Sequence, residues 1–490
     1  MLRLGWHEVS PREQELRVQR TVLASLASGK FCLARFNCTV HTDVSDLLAA
    51  RSQMAMSLAF HILFAVAGMA MPLLMVLAEL RHQRTGDPAA LELAKRWAKG
   101  TAILFAVGAV SGTVLSFELG LLWPQFMRHA GPLVGMPFSL EGFAFFLEAI
   151  FLGLYLYGWD HLRPRVHLAC GLGVALCGLL SAIFVVAVNA WMNEPSGFEY
   201  VDGAFVNIRP WEAMFNGAFF SQALHMALAA YASIAVAVMG IHAWALRREP
   251  DSALHRTAFR LALGLALVAV PAQIVSGDHS AKHIARDQPV KLAAAEALFE
   301  TQTRAPLALG GIADSSSAQL RGAIELPGML SLIAFSDPDA EVTGLDSVPR
   351  ELWPPVNIVH FAFDLMVGCG LAMLAVVGFG GLWWVDARLR GRPPPWARPR
   401  YLIFALLAGP LGFIALEAGW VVTEVGRQPW VIQGYMKTSE AVTPMPGLVA
   451  PFLVFSALYL FLGVVVIVLL KNHVLAATPG AERAAEETSA

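Results

Sequence analysis

Apolar residues in this chain come in long runs, without the strict alternation of a half-buried strand or the regular polar face of a soluble helix. Nine runs of roughly 20 residues or more stand out, at about 53–80, 98–120, 138–158, 167–190, 217–246, 257–276, 356–385, 401–424 and 448–471, and a bilayer core about 30 Å thick needs a helix of that length. Charged and turn-forming residues collect between them. The pattern predicts an all-α membrane protein with nine transmembrane helices.

Loop charges set its orientation. Arg81, Arg84, Lys95, Arg96 and Lys99 follow the first run, Arg163 and Arg165 the third, and Arg247, Arg248 and Arg256 the fifth. Arg388, Arg390, Arg392, Arg398 and Arg400 follow the seventh, and the intervening loops are poor in basic residues. The N-terminus is therefore expected outside and the C-terminus in the cytoplasm.

The chain divides into a polar extension (1–45), six helices (46–276), an outer loop (277–355), three helices (356–471) and a cytoplasmic tail (472–490). The extension lacks a signal-peptide core and precedes DLLAARSQMAMSLAFH, which itself reads as a natural start. A mis-assigned start codon or a disordered tail is expected there. A loop as long as 277–355 in a compact membrane domain is usually functional, whereas the small, polar ending GAERAAEETSA should fray.

Composition sharpens this picture. At 56% hydrophobic and 15% charged over 490 residues, the chain is too apolar for an ordinary soluble protein. Its net charge of -2 gives no reason to expect nucleic acid as a partner. Cys32, Cys38, Cys170, Cys177 and Cys369 form neither CxxC nor CxxCH, which argues against a zinc knuckle and against covalently attached c-type haem.

Polar groups inside the runs are costly, so each is a candidate site residue. His61, His225, Glu141, Glu148, Met366 and Glu424, from five different runs, all fall toward the outer face. Singly, a histidine can pack between helices, a methionine can fill a core, and two glutamates seven apart can form an ion site. Together, imidazole, thioether and carboxylate are the ligands a protein offers to haem iron, a Met/His pair marking a six-coordinate electron-transfer centre. Spacing alone leaves a redox site and an ion site open.

Several stretches carry a family likeness: RSQMAMSLAFH, EGFAFFLEAIFLG with GWD, NAWMNEP, ALHMALAAY, QPVKLAAAE, FDLMVGCG and, most specific, EAGWVVTEVGRQPW. Over about 46–471 the chain resembles the large subunit of the cytochrome bd-type quinol oxidases, including the cyanide-insensitive branch. The resemblance implies His225 and Met366 as axial ligands of a low-spin haem b. It implies His61 and Glu424 as ligands of two high-spin haems, a second haem b and either haem d or a further haem b. Glu141 and Glu148 match acidic residues on the proton route, Trp420 a tryptophan between haems, and Arg51 and Arg427 arginines beside the haems, where a guanidinium suits a propionate. Lys291 and Glu296 match a quinol-site pair.

The implied activity is oxidation of a membrane quinol coupled to reduction of dioxygen to water, in the bacterial cytoplasmic (inner) membrane. A second membrane subunit, with small accessory subunits, would be partners. The inner halves of the runs offer few acidic residues, so the second subunit is expected to supply much of the inward proton path. Glu417 reads either as a packing carboxylate or as a proton-holding group. Asp364 stands where some members have arginine, and Ser116 where some have a carboxylate, with Glu118 nearby. Both departures should alter haem potential or proton access. A haem-bearing quinol dehydrogenase subunit and a secondary transporter built on Glu141 and Glu148 are the alternatives, although no inverted repeat typical of transporters is seen.

Overall fold

The computed structural model describes residues 44–475, so most of the N-terminal extension and most of the C-terminal tail lie outside the described residues. Among the described residues, nine helices are long and apolar enough to cross a membrane. We label them α1 (Val44–Thr85), α2 (Pro88–Leu122), α3 (Pro124–Tyr157), α4 (Pro164–Asn193), α5 (Phe219–Arg248) and α6 (Ala253–Asp287). After the long loop come α7 (Val356–Arg390), α8 (Pro399–Val425) and α9 (Val449–Leu470).

The helices run past the apolar runs that announce them. Helix α3 starts at Pro124 rather than near 138, and α6 continues to Asp287 rather than stopping near 276. Intrahelical hydrogen bonds persist where a helix leaves the apolar layer, whereas hydropathy marks only the layer itself. Local chemistry fixes several ends. Proline occupies the first helical position of α2, α3, α4 and α8, where its missing N–H costs nothing. Asp87 caps α2 by accepting from the Ala89 N–H at 3.1 Å.

Helix α8 is interrupted at Gly409 and Pro410, giving segments Pro399–Ala408 and Leu411–Val425. A Cβ on Gly240 of α5 would lie 2.9 Å from Gly409 Cα. The two glycines let the backbones cross closely, as small residues do between membrane helices.

The main core lies between α1, α5, α6, α7 and α8, around Leu74, Met75, Met239, Phe259 and Val377. A second cluster seats the long loop. Leu292, Ala293, Leu298 and Leu345 pack against Val359 of α7 and against Ala418 and Val422 of α8. The loop therefore sits as a fixed cap over the ends of α7 and α8. It holds a short helix at Pro289–Ala295, another at Met329–Phe335, and antiparallel pairings of Leu307–Leu309 with Ile324–Leu326 and of Ile312–Asp314 with Gln319–Arg321. Helix α9 is the least enclosed span among the described residues, packing mainly along α1 and α2.

Candidate functional site

On α1, His61 Nδ1 lies 2.9 Å from Ser111 Oγ of α2, and that hydroxyl donates to Val107 O at 3.0 Å. With its hydrogen spent on the backbone, the hydroxyl can only accept from the ring. Nδ1 therefore carries the proton and Nε2 keeps a free lone pair. Gly112 gives the ring room, since a Cβ there would stand 3.0 Å from His61 Cε1.

The same device recurs around His225 of α5. Its Nδ1 lies 3.0 Å from Ser276 Oγ of α6, which donates to Gln273 O at 2.9 Å. The Gln273 amide nitrogen is 3.1 Å from His225 Nε2, as expected if Nε2 is the acceptor. Met366, on α7, faces Gly419 of α8, where a Cβ would come within 3.1 Å of its sulfur. Since α5 packs on α6 and α8, and α7 packs on α6 and α8, histidine and thioether belong to one four-helix group. Trp420, next to Gly419, packs against the main core.

Glu148 is buried on α3 between Gly68 of α1 and Gly178 of α4, where a Cβ would lie 3.6 Å and 3.1 Å from its Oε1. Glu141, two turns earlier on α3, receives a long 3.4 Å bond from Ser181 Oγ of α4. Glu424 meets α4 as well. Asn189 donates to its Oε1, and Arg427 Nη2 donates to its Oε2 at 2.6 Å. Helix α4 is thus the common wall of all three carboxylates.

Arg427 is buried, yet its Nε and Nη1 have no partner among the described residues, and Glu417 Oε1 is buried in the same condition. Arg51 of α1 is half-buried and forms no ion pair among the described residues. Of the departures noted in the sequence, Ser116 is exposed and donates to Gly112 O at 3.1 Å. Glu118 is buried and accepts from Gln53 at 2.8 Å. Asp364 faces the loop, accepting from the Gly310 N–H at 2.7 Å.

Lys291 and Glu296 both lie on the short loop helix or its end, but they point to different neighbours. Lys291 donates to Asn193 Oδ1 and Gln288 Oε1, at 2.5 Å each. Burial, reinforced by the nearby Arg427 charge and opposed by Glu424 and Glu194, lowers its pKa to about 7. Burial, with Asp364 adding repulsion, raises that of Glu296 to about 8. Lys291 lines a cleft shared with Asp287, Gln288, Arg427, Gln428 and Trp430. Glu296 is not part of that cleft, and among the described residues no ion pair joins it to Lys291.

Three groups escape a reading of the sequence. Asn189 and Asn193 link Glu424 to Lys291, Asn193 donating to Asn189 O at 2.9 Å. Glu79 and His167 form a buried pair at the arginine-rich end, 3.0 Å apart. Glu194 and His283 pair at 2.8 Å beside the cleft.

The family profile of cytochrome bd terminal oxidase subunit I matches residues 49–478. The chain belongs to that family. A Bacillus subtilis relative, provisionally named cytochrome bd menaquinol oxidase subunit I, is 37% identical over 88% of this chain and 97% of its own length. A second, the cytochrome bd ubiquinol oxidase subunit 1 of the same organism, is 31% identical over 88% of this chain and 94% of its own. The solved bd oxidase from Geobacillus thermodenitrificans superposes with a TM-score of 0.82 at 38% identity, covering 87% of this chain and 98% of that one.

A cytochrome is a haem protein, and the residues fit that group. The His61 imidazole keeps Nε2 free and that of His225 presents Nε2 as an acceptor, here met by the Gln273 amide; one thioether and one carboxylate lie among the same helices, and a buried guanidinium has two N–H groups to spare for a propionate. Glu424 is engaged by Asn189 and Arg427, but each carboxylate oxygen has a second lone pair for a metal.

Proposed function

We propose that His225 and Met366 are the axial ligands of a low-spin haem b, and that His61 and Glu424 ligate the two high-spin haems of the oxygen site. These two are a second haem b and either haem d or a further haem b. The chain is the large subunit of a terminal quinol oxidase, a quinol:oxygen oxidoreductase that spans the bacterial inner membrane several times. Haem bound here supplies one-electron transfer and the iron at which dioxygen is reduced.

The observation that carries the ligand assignment is the repeated serine. In both histidines Nδ1–H is committed to a hydroxyl that is itself committed to the backbone, so Nε2 is set to bind metal before any metal arrives. Arg427 holds Glu424 in place and has N–H groups left for a propionate, and Arg51 would serve another. Trp420 adjoins Gly419, the glycine that faces Met366, and precedes Glu424 by one turn of α8.

The chain's own groups then handle quinol and protons. Lys291, whose pKa burial lowers to about 7, has a substantial neutral fraction near that pH and can accept a proton from a quinol hydroxyl in its cleft. Glu296, protonated at that pH, is placed to shape the loop end near Asp364 rather than to touch the same head group. Glu141 and Glu148 face α4 on the way to the oxygen site and would hold protons bound for it.

We further read the arginine-rich end as cytoplasmic, following the loop charges. A second membrane subunit, with small accessory subunits, would cover apolar helix surfaces such as that of α9. The deciding experiment is the reduced-minus-oxidised spectrum of the purified complex carrying His225→Ala, Met366→Leu, His61→Ala or Glu424→Gln. The first two should remove low-spin bands, and the last two should remove the high-spin features that shift with carbon monoxide. Unchanged spectra in all four would overturn the assignment.

A further inference from the structure

From Lys291 a second hydrogen-bonded array leads through Gln288, separate from the one that leads through Asn193 toward Glu424. Gln288 accepts from Lys291 at 2.5 Å and donates to Glu194 Oε1 at 2.6 Å. Glu194, which follows the last residue of α4, meets His283 Nε2 at 2.8 Å. The opposite ring nitrogen, Nδ1, lies 3.2 Å from Asp287 Oδ2, whose side chain is half exposed. Asp287 also lines the cleft itself. Gly217 leaves the space for this arrangement, since a Cβ there would fall 2.5 Å from Glu194 Oε2.

We propose that Glu194, His283 and Asp287 form a relay that carries protons released by quinol from the cleft to the outer surface. This rests on the reading of the Lys291 cleft as the quinol site. Each quinol oxidised to quinone loses two electrons, which pass to the haems, and two protons, which must leave the cleft before another quinol is turned over. An imidazole between two carboxylates can take a proton on one nitrogen and release one from the other. The two carboxylates occupy opposite nitrogens, an arrangement suited to a proton passed across the ring. A cation would bind at one nitrogen only. Gln288 has no proton to give and only holds lysine and Glu194 at opposite ends of one amide, so protons released in the cleft enter the relay at Asp287, which lines it, and cross the His283 ring to Glu194. The charged surroundings of His283 are Glu194 and Asp287 at the ring and Lys291 beyond Gln288, while Lys282 on its own helix is paired with Asp278 and Arg286 makes no ion pair among the described residues.

The test compares variants in the purified, full oxidase complex, with a short-chain quinol as substrate. His283→Gln keeps a hydrogen-bonding side chain but cannot pass a proton. It should lower kcat by at least about tenfold, leave KM for quinol and the haem spectrum unchanged, and flatten the pH profile of kcat. Glu194→Gln should behave alike, and added imidazole should restore turnover in His283→Ala. Unchanged kcat in His283→Gln and Glu194→Gln would overturn the relay, as would a rise in KM with kcat preserved, which would make these residues part of the cleft wall. Lys291→Ala separates the two layers of the argument. If it leaves both kcat and KM unchanged, the quinol site lies elsewhere and the underlying reading falls. If it impairs quinol oxidation while His283→Gln does not, only the relay falls.

Discussion

Arg427 and Glu424 stand one turn apart at the end of α8, joined by a 2.6 Å bond from Nη2 to Oε2, while the other face of the guanidinium has no protein partner. One side chain thus fixes a carboxylate and presents two further N–H groups in a buried setting. Lysine at this position would keep the charge but lose the planar fork. A charge-assisted hydrogen bond is worth about 1.5–3 kcal/mol, so Arg427→Lys should cut oxygen consumption by about tenfold or more. High-spin haem content, measured by pyridine haemochrome assay and carbon monoxide difference spectra, should fall with it. Full haem occupancy and full activity in Arg427→Lys would show that the fork has no such duty.

Ser111 and Ser276 make a paired prediction. Each hydroxyl accepts from the Nδ1–H of a histidine on the neighbouring helix. Removing it frees the ring to adopt the wrong tautomer, and loss of such partners typically costs 10–100-fold in metal affinity or activity. Ser276→Ala should weaken the low-spin haem signal and spare the carbon monoxide response, and Ser111→Ala should do the reverse. Identical effects of the two variants would argue against separate haems at His225 and His61.

Quinol oxidation should depend on pH through Lys291. Burial favours its neutral form, so the lysine is mostly charged below about pH 7 and mostly able to accept a proton above it. The logarithm of kcat/KM should therefore rise with pH up to about 7 and then level off. Lys291→Met should abolish that rise and lower the plateau. A wild-type profile that is flat from pH 6 to 8 would rule out Lys291 as the acceptor.

Much of this was legible in the sequence because a bilayer imposes a strong signal. Nine apolar runs appear as nine long apolar helices among the described residues, and the ligand-type residues stood out as polar groups in apolar surroundings. The helix ends were not legible, since the segment from Ser276 to Asp287 stays helical without being apolar. Polar residues near helix ends are commonplace, so Asn189, Glu194 and His283 carried no signal until chain segments 89 or more positions apart met around them. The family resemblance gives Lys291 and Glu296 as a quinol-site pair, and positions five apart on a helix face different ways, so the two meet different neighbours. The expectation that the inner halves are poor in acidic groups overlooked Glu79, which is buried at the arginine-rich end.

Glu79 supports the last prediction. His167 Nε2 lies 2.9 Å from the carbonyl oxygen of Tyr155, and Nδ1 lies 3.0 Å from Glu79 Oε1. The ring lies against Trp159 and Tyr155, with centroids 4.1 and 4.4 Å away. Both members of the pair are almost fully buried, so removing one leaves the other uncompensated, at a cost of about 3–5 kcal/mol. His167→Leu and Glu79→Leu should each lower the thermal midpoint of the purified complex by several degrees. The double variant should be more stable than either single one, because replacing a whole buried pair with apolar groups is often close to neutral. Additive losses would instead mean that the two side chains act independently and that the 3.0 Å contact contributes little.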